Sequence, residues 1–368
     1  MNAIGHQYDY DVLIIGLGPG GATLARLLDS SLRVVCIDRK TPEGDEGFRK
    51  PCGGLLAPDA QKALAAFDLT LPVSVLASPQ IFSVKTLDET SGRVRHYQRF
   101  YVNTDRHRFD RWLLGQIPPG VDCFYGSRAT GLVQREDGWQ VSFTDSQGTA
   151  RSFTARFVVG ADGAHSLVRR TLYPRKKIRS YTAIQQWFPD QNPRPFYSCV
   201  FDEALTDCYS WAVSKDSCFI FGGAYPSRDC RKRFEEQKRR LVGRGFQLGQ
   251  PLHTEACLVL RPATPWDFCC GHSGAFLLGE AGGFISPSSL EGISSAIRTA
   301  QALAGVLNSR PRNPHPAYRR ATLSLRVKLT LKLLKCPFMY HPLLRRLVMA
   351  SGLQTIPVAP GTERTDNT

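Results

Sequence analysis

Asp11-Val-Leu-Ile-Ile15-Gly16-Leu17-Gly18-Pro19-Gly20-Gly21-Ala22-Thr-Leu-Ala-Arg-Leu-Leu28, followed by Leu32-Arg-Val-Val-Cys-Ile37-Asp38-Arg39, is the stretch that decides how the chain reads. Asp11–Ile15 is a short, mainly apolar run, the pattern of a strand buried on both faces of a parallel sheet. Glycines follow at once, and Ala22–Leu28 reads as a helix. Leu32–Ile37 is a second buried strand that ends at Asp38, twenty-two residues after Gly16. Each part has a physical task. Gly16 makes a tight turn, Gly18 lets a pyrophosphate approach the backbone past Pro19 and Gly20, and Gly21 lets the helix pack on the strand. The helix N-terminus offers N–H groups and partial positive charge to that pyrophosphate. Asp38, with Arg39 beside it, can accept both ribose hydroxyls of an adenosine. Strand, glycines, helix, strand and acid in this order predict a dinucleotide site rather than an ordinary turn. A carboxylate at the end of the second strand favours a free 2′-hydroxyl, hence FAD or NAD over NADP.

Composition bounds the rest. With 368 residues the chain can bury a full core, as one large domain or two interleaved ones. No apolar run approaches the ~18 residues of a membrane-spanning helix. Met1-Asn-Ala-Ile-Gly-His6 has neither a basic segment nor an apolar region, so secretion is not expected. The eleven cysteines are scattered, without C-x-x-C, and only Cys269-Cys270 are close. That usage fits reduced cytoplasmic thiols, and it argues against a disulfide frame or a zinc site. The net charge of +15 is uneven: no Asp or Glu stands between Glu291 and Glu363, where eleven Arg or Lys occur. Such a tail can face nucleic acid, anionic lipid or an anionic substrate.

Further along, Pro58–Phe67 and Arg106–Leu114 read as helices, and residues 79–102 as strands around a turn at Glu89–Gly92. Val121–Val159 reads as a β-meander and Arg231–Val242 as a charged helix. Phe157-Val-Val-Gly-Ala-Asp162-Gly163 is a buried strand running into an acid between glycines. Gly274–Gly279 is another strand, followed by Glu280-Ala-Gly282-Gly283 and a helix through Gly292 to Leu303. The fold class is therefore α/β, a Rossmann-type dinucleotide domain with an interleaved β-sheet substrate domain and a C-terminal tail. The boundaries drawn are 1–78, 103–175 and 268–310 for the first, 79–102 and 176–267 for the second, and 311–368 for the basic tail. Within that tail Leu323–Leu333 alternates like a strand, while its Leu, Lys and Arg content favours a helix. Pro337 and Pro342 are expected to break it.

Two further motifs resemble those of the flavoprotein hydroxylase superfamily. Gly160-Ala-Asp162-Gly163-Ala-His-Ser-Leu-Val-Arg169-Arg170 is similar to its "DG" motif, and Gly279-Glu280-Ala-Gly-Gly283-Phe-Ile-Ser-Pro287-Ser-Ser-Leu-Glu-Gly292-Ile293 to its "GD" motif. The resemblance implies FAD. Asp162 and Gly163 would lie near the pyrophosphate, Glu280 at the ribityl chain, and Gly279, Gly282, Gly283, Pro287, Gly292 and Ile293 around the flavin. The helix after the motif would point its N-terminus at the ring, where its dipole favours the anionic reduced form. Glu280 stands where Asp is usual. Lys50-Pro-Cys52-Gly53-Gly54 and Tyr209-Ser-Trp211-Ala-Val213-Ser214 narrow the resemblance to the geranylgeranyl reductase family, although that family's Phe-Pro after the Trp is Val213-Ser214 here. Arg106 matches a family position near the FAD phosphate or ribityl region.

The resemblance implies an FAD-dependent oxidoreductase. Tightly, non-covalently bound FAD would deliver hydride to a carbon–carbon double bond of an apolar, prenyl- or lipid-type substrate. Electrons would come from NADPH, NADH or a small redox protein. Tyr209 and Trp211, two apart on a strand, point to one side, and the resemblance makes that side the wall of the substrate cavity. Cys52, Gly53 and Gly54 are counted with the cofactor-binding residues, since backbone beside two glycines can approach a flat ring closely, and Cys52 is the candidate proton donor or a further wall. A flavin monooxygenase, hydroxylase or halogenase, shares the second and third motifs and is the alternative. A flavin-binding regulator with little turnover is the third reading. The basic tail is expected to sit on an anionic membrane surface. No nucleic-acid recognition motif accompanies the charge, so no nucleic-acid partner is expected.

Overall fold

The structure, a computed structural model, describes residues 7–42, 51–192 and 197–357. It divides into two compact units: the described parts of Met1–Arg49, Asp110–Arg179 and Leu260–Lys332, and those of Lys50–Phe109, Ser180–Val259 and Leu333–Thr368.

In the first unit the apolar runs do what continuous apolar runs do: they become strands buried on both faces. Tyr10–Ile15 pairs in parallel with Val34–Ile37 on one side and with Ala150–Gly160 on the other, and Ala275–Leu277 extends the parallel run beyond it. Leu13, Ile15, Val35, Ile37, Val158 and Leu277 share one core with Trp139, Val141 and Phe143 of the antiparallel strand Trp139–Thr144. The predicted meander needs one correction. Asp122–Phe124 does not join its hairpins; it pairs in parallel with Val34–Ile37 at the sheet edge. A helix, Arg106–Leu114, leads into it. That is the crossover parallel pairing requires, where a meander would need a tight turn. Phe124 meets Phe143 edge to face, 5.5 Å between centroids.

The tail begins in this unit and is anchored by its first helix, Pro314–Ala321. The Tyr318 hydroxyl donates to the Leu277 carbonyl at 2.8 Å, and the His315 ring stacks on Phe276 at 4.2 Å. Burial pushes His315 down to about 4, and its Nε2 accepts the Gly274 N–H, so the ring is neutral. The ambiguous Leu323–Leu333 segment is helical, part of Leu323–Tyr340. Leu325 and Leu329 are its buried residues, four apart on one helical face, whereas an alternating strand would bury Leu323, Val327 and Leu331 as well. Pro337 does not break this helix but lies inside it, and Pro342 opens the next one, Pro342–Ser351.

The second unit is an eight-stranded sheet with the strands in the order 253–260, 180–189, 218–225, 210–215, 197–201, 81–88, 93–103 and 55–56. The helix Cys230–Val242 covers one face through Phe234, Gln237 and Leu241, with Phe234 stacked on Phe221 at 5.3 Å. Alternation sends Ser210 and Ala212 to that face and Trp211, Val213 and Lys215 to the other. Residues 51–78 and 103–109, drawn with the dinucleotide domain from sequence, group with this sheet. Leu55–Leu56 pairs with Val102 and Asn103, and Thr104 donates twice to the Gly54 carbonyl.

Candidate cofactor and substrate residues

The first unit holds the three motifs. Gly16 has φ of +96°, and a Cβ on it would stand 2.7 Å from the Ala161 carbonyl oxygen. A Cβ on Gly21 would stand 1.9 Å from the Gly16 carbonyl oxygen. Both positions therefore require glycine. Gly18 differs: its φ is −67°, and a Cβ there would meet nothing within 4 Å. Its backbone faces open space at the start of the Pro19–Leu27 helix, where Pro19 and Gly20 follow and no side chain caps the N–H groups. Asp38 is buried. Its Oδ2 accepts the Leu17 N–H at 2.5 Å and its Oδ1 the Lys40 N–H at 2.8 Å. A carboxylate oxygen accepts more than one hydrogen bond, so capacity for ribose hydroxyls is left. Arg39 beside it is exposed.

Asp162 provides the clearest test of whether a cofactor fits. Its Oδ2 accepts the Leu167 N–H at 2.6 Å, while its Oδ1 is buried with no hydrogen-bond partner among the described residues. Burial raises the pKa of this carboxyl, against the hydrogen bonds from Ser166 and Leu167. An orphaned carboxylate oxygen is what a site waiting for a ligand donor presents. A Cβ on the neighbouring Gly163 would meet only Glu280 Oε2, at 3.9 Å, so the second and third motifs adjoin.

The departure at Glu280 has a structural consequence. Its Oε1 accepts the Leu260 N–H at 2.8 Å, tying the Gly279–Gly282 turn to the end of a strand. Gly283 ends that turn, and the Pro287 carbonyl beyond it accepts from Arg261 Nε at 3.1 Å. Gly292 caps and Ile293 opens the helix Ile293–Asn308. This N-terminus is not bare. Glu291 accepts the Ser294 N–H at 2.8 Å and the Ser294 hydroxyl at 2.6 Å, so a carboxylate already balances part of the helix charge.

Arg169 was not singled out from sequence as a site residue. It is buried, donates to the Ala281 carbonyl at 2.7 Å and to the Ala164 carbonyl, and so joins the two motifs. Burial lowers its pKa, against the pull of Asp162, Cys269 and Glu280. The signal was present in the Val168-Arg169-Arg170 ending of the motif. His165 is exposed.

The second unit brings Cys52, Gly53, Gly54, Tyr209 and Trp211 together. The Gly54 N–H donates to Cys52 Sγ at 3.4 Å, and a Cβ on Gly53 would lie 3.8 Å from the Trp211 ring. The Tyr209 and Trp211 rings lie 5.9 Å apart at 60°. Burial holds the Tyr209 phenol well above its ordinary pKa, so it is a neutral donor. Arg106 begins the Arg106–Leu114 helix and is half-buried; Arg108 and Arg111 are exposed. Lys50 lies outside the described residues. Lys215 was also missed. Its Nζ is 2.5 Å from Asn103 Oδ1 and 2.6 Å from the Thr104 carbonyl, and burial lowers its pKa to about 8.

Residues 81–213 match the family model for an FAD binding domain. A geranylgeranyl bacteriochlorophyll reductase-like protein from Thermoplasma acidophilum superposes with a TM-score of 0.73 at 20% identity, over 89% of this chain and 85% of its own. PqsL from Pseudomonas aeruginosa, named a probable FAD-dependent monooxygenase, superposes with a TM-score of 0.68 at 20% identity, over 93% of this chain and 98% of its own. At such identities these likenesses show the fold, that of FAD-dependent hydroxylases and reductases. Protein CbrA of Escherichia coli O6:H1 is 51% identical over 348 residues, 95% of this chain and 95% of its own. With that identity over nearly its whole length, the chain belongs to the CbrA protein family.

Proposed function

We propose that the chain is an FAD-dependent reductase that saturates a carbon–carbon double bond in an apolar, prenyl- or lipid-type substrate, with NADPH, NADH or a small redox protein as transient electron donor. Bound FAD would supply the two-electron step. Gly16, Gly18, Pro19, Gly20, Gly21, Asp38, Asp162, Gly163 and the Gly279–Ile293 segment would hold it. Residues of the second unit would handle the substrate, with Tyr209 and Trp211 as walls and Cys52 as proton donor. The observation that carries this reading is the Cys52-Gly53-Gly54 turn packed against Trp211 on the sheet side that also bears Ile81, Val213, Ile220, Tyr101 and Tyr197. Those residues form a buried apolar, aromatic cluster beside Trp211. The likeness to PqsL favours a second reading, oxygen activation. One experiment separates them. The purified protein is reduced by NADPH or NADH without oxygen, and air is then admitted. A reductase recovers its colour slowly and forms no hydroxylated product. Oxygen uptake matched to nucleotide oxidation and to a hydroxylated product would replace the first reading with the second.

We further propose that the Leu323–Tyr340 helix docks on an anionic membrane. Leu323, Val327, Leu331, Leu334 and Phe338 are 50–67% exposed. Steps of four, four, three and four residues put them on one face, opposite Leu325 and Leu329. Arg326 flanks this stripe on one side, Lys328 and Lys335 on the other. No described helix is long and apolar enough to cross a membrane, so the contact would be peripheral. The protein is expected to float with phosphatidylglycerol vesicles at low salt, to release as salt rises, and to ignore phosphatidylcholine vesicles. Leu334→Glu with Phe338→Glu should abolish flotation without lowering the melting temperature. Absence of binding to phosphatidylglycerol at low salt ends the proposal.

A further inference from the structure

Trp211 is held in its pose from three directions. Its indole lies over Gly222 so closely that a Cβ there would come within 2.6 Å of the ring. The Gly53 turn borders it. Its Nε1–H donates to Gln185 Oε1 at 3.0 Å, and Gln185 is fully buried. The Gln185 amide then donates to Glu255 Oε1 at 2.7 Å, and Trp187 Nε1–H donates to the same oxygen at 3.1 Å. The amide orientation follows from this chain, because only its oxygen can accept from an indole and only its nitrogen can donate to a carboxylate.

The network ends on half a carboxylate. The Glu255 side chain is 11% exposed, and among the described residues no hydrogen bond reaches its Oε2. The His253 ring, 36% exposed, stands beside it with Nε2 3.9 Å away. A mostly buried carboxylate is normally matched by a cation or several donors. Here two neutral donors share one oxygen, and the other has only the His253 ring, 3.9 Å away, beside it. The sheet side that carries Trp211 is thus apolar around Val213, Ile220 and Tyr197, holds the Lys215 ammonium on Asn103 and Thr104, and is anionic at Glu255. This is out of keeping with a chain of net charge +15, whose overall field favours anions.

We propose that Glu255 reads the polar end of the substrate: the ligand is amphiphilic, with an apolar body against Trp211 and a hydrogen-bond-donating, ammonium or hydroxyl, head at Glu255 Oε2. Gln185 is the positioning residue that couples this head group to the Trp211 ring. The inference rests on the proposed assignment of this sheet side to the substrate.

Three eight-carbon probes test it on the full-length protein without turnover: octylamine, 1-octanol and octanoate, followed by tryptophan fluorescence, with Trp211→Phe identifying the responding ring. Octylamine is expected to bind at least about tenfold more tightly than octanoate, with 1-octanol between them, although bulk charge favours the reverse order. Glu255→Gln keeps an oxygen for Gln185 and Trp187 and so keeps the fold. It should bring octylamine and octanoate within about twofold of each other. Octanoate binding as tightly as octylamine, an unchanged ranking in Glu255→Gln, or no probe response from Trp211 would each overturn the proposal. Because no redox step is read, failure of the reductase chemistry would show in the flavin assay alone.

Discussion

Gly18→Val should purify folded but colourless, whereas Gly21→Val should not accumulate as folded protein. Both glycines belong to one motif, yet the structure gives them opposite burdens. Gly18 has ordinary backbone angles and an empty volume where its Cβ would go, so valine adds no strain to the protein itself. Its side chain would instead stand where the pyrophosphate must approach the backbone. We expect FAD affinity to fall at least about 100-fold, close to 3 kcal/mol, with the melting temperature of the apoprotein unchanged. Gly21 has no such freedom. Its Cβ would stand 1.9 Å from the Gly16 carbonyl oxygen, against backbone that is itself pinned by the Ala161 strand end. Overpacking usually costs about 1–3 kcal/mol, and two opposed backbone segments cannot yield as side chains do. A cost above that range consumes much of the ~5–15 kcal/mol that holds a domain folded. The ratio of visible to ultraviolet absorbance after purification, calorimetric titration with FAD and thermal melts separate the two outcomes. Stoichiometric flavin in Gly18→Val would mean that this glycine does not face the cofactor.

The contrast explains what could be read in advance. Val12–Ile15, Val34–Ile37 and Phe157–Gly160 were legible because a strand buried on both faces leaves a continuous apolar run, and the glycines between them announce where the chain must turn. The Leu323–Leu333 segment was not. Its alternation satisfies a strand, and only the packing of Leu325 and Leu329, four residues apart, selects the helix. Asp122–Phe124 was misplaced because three residues carry too little pattern to distinguish an antiparallel hairpin partner from a parallel edge strand. Leu55–Leu56 is shorter still, and with it went the assignment of residues 51–78.

The site divides along the same line. Residues proposed to act through backbone geometry or local turns, such as Gly16, Asp38 and Asp162, sit in motifs of fixed spacing and so can be named from sequence. Residues that act through distant partners cannot. Arg169 reaches the Ala281 carbonyl, 112 residues away, and Gln185 reaches Glu255, seventy residues away. Neither separation leaves a mark on local pattern, because the segments that join them are adjacent only in the folded chain. The same holds for Lys215, whose acceptors at Asn103 and Thr104 are more than a hundred residues earlier.

The tail supplies the second large effect. From sequence, Arg345 belonged with the surface charges of the basic segment. In the structure it is 4% exposed, and its guanidinium meets Asp88 Oδ1 at 2.9 and 3.1 Å and Glu203 Oε2 at 3.3 Å. It also donates to the Met339 and Tyr340 carbonyls and lies over the Phe201 ring. Asp88 is 1% exposed. Removing one member of such a pair strands the other charge away from water, which costs about 3–5 kcal/mol. Arg345→Met should therefore lower the urea midpoint sharply at constant slope. Its exposed neighbour is the control: Arg346→Met should shift stability by no more than about 0.5 kcal/mol. The double variant Arg345→Met with Asp88→Asn removes the stranded charge and should recover more than half of the loss, because the penalty lies in the orphaned carboxylate rather than in the missing attraction. If Arg345→Met proved as mild as Arg346→Met, the last helix would not be fastened to the strand that carries Asp88. Arg345 would then return to the cationic surface available to a membrane, and the vesicle experiment would have to count it there.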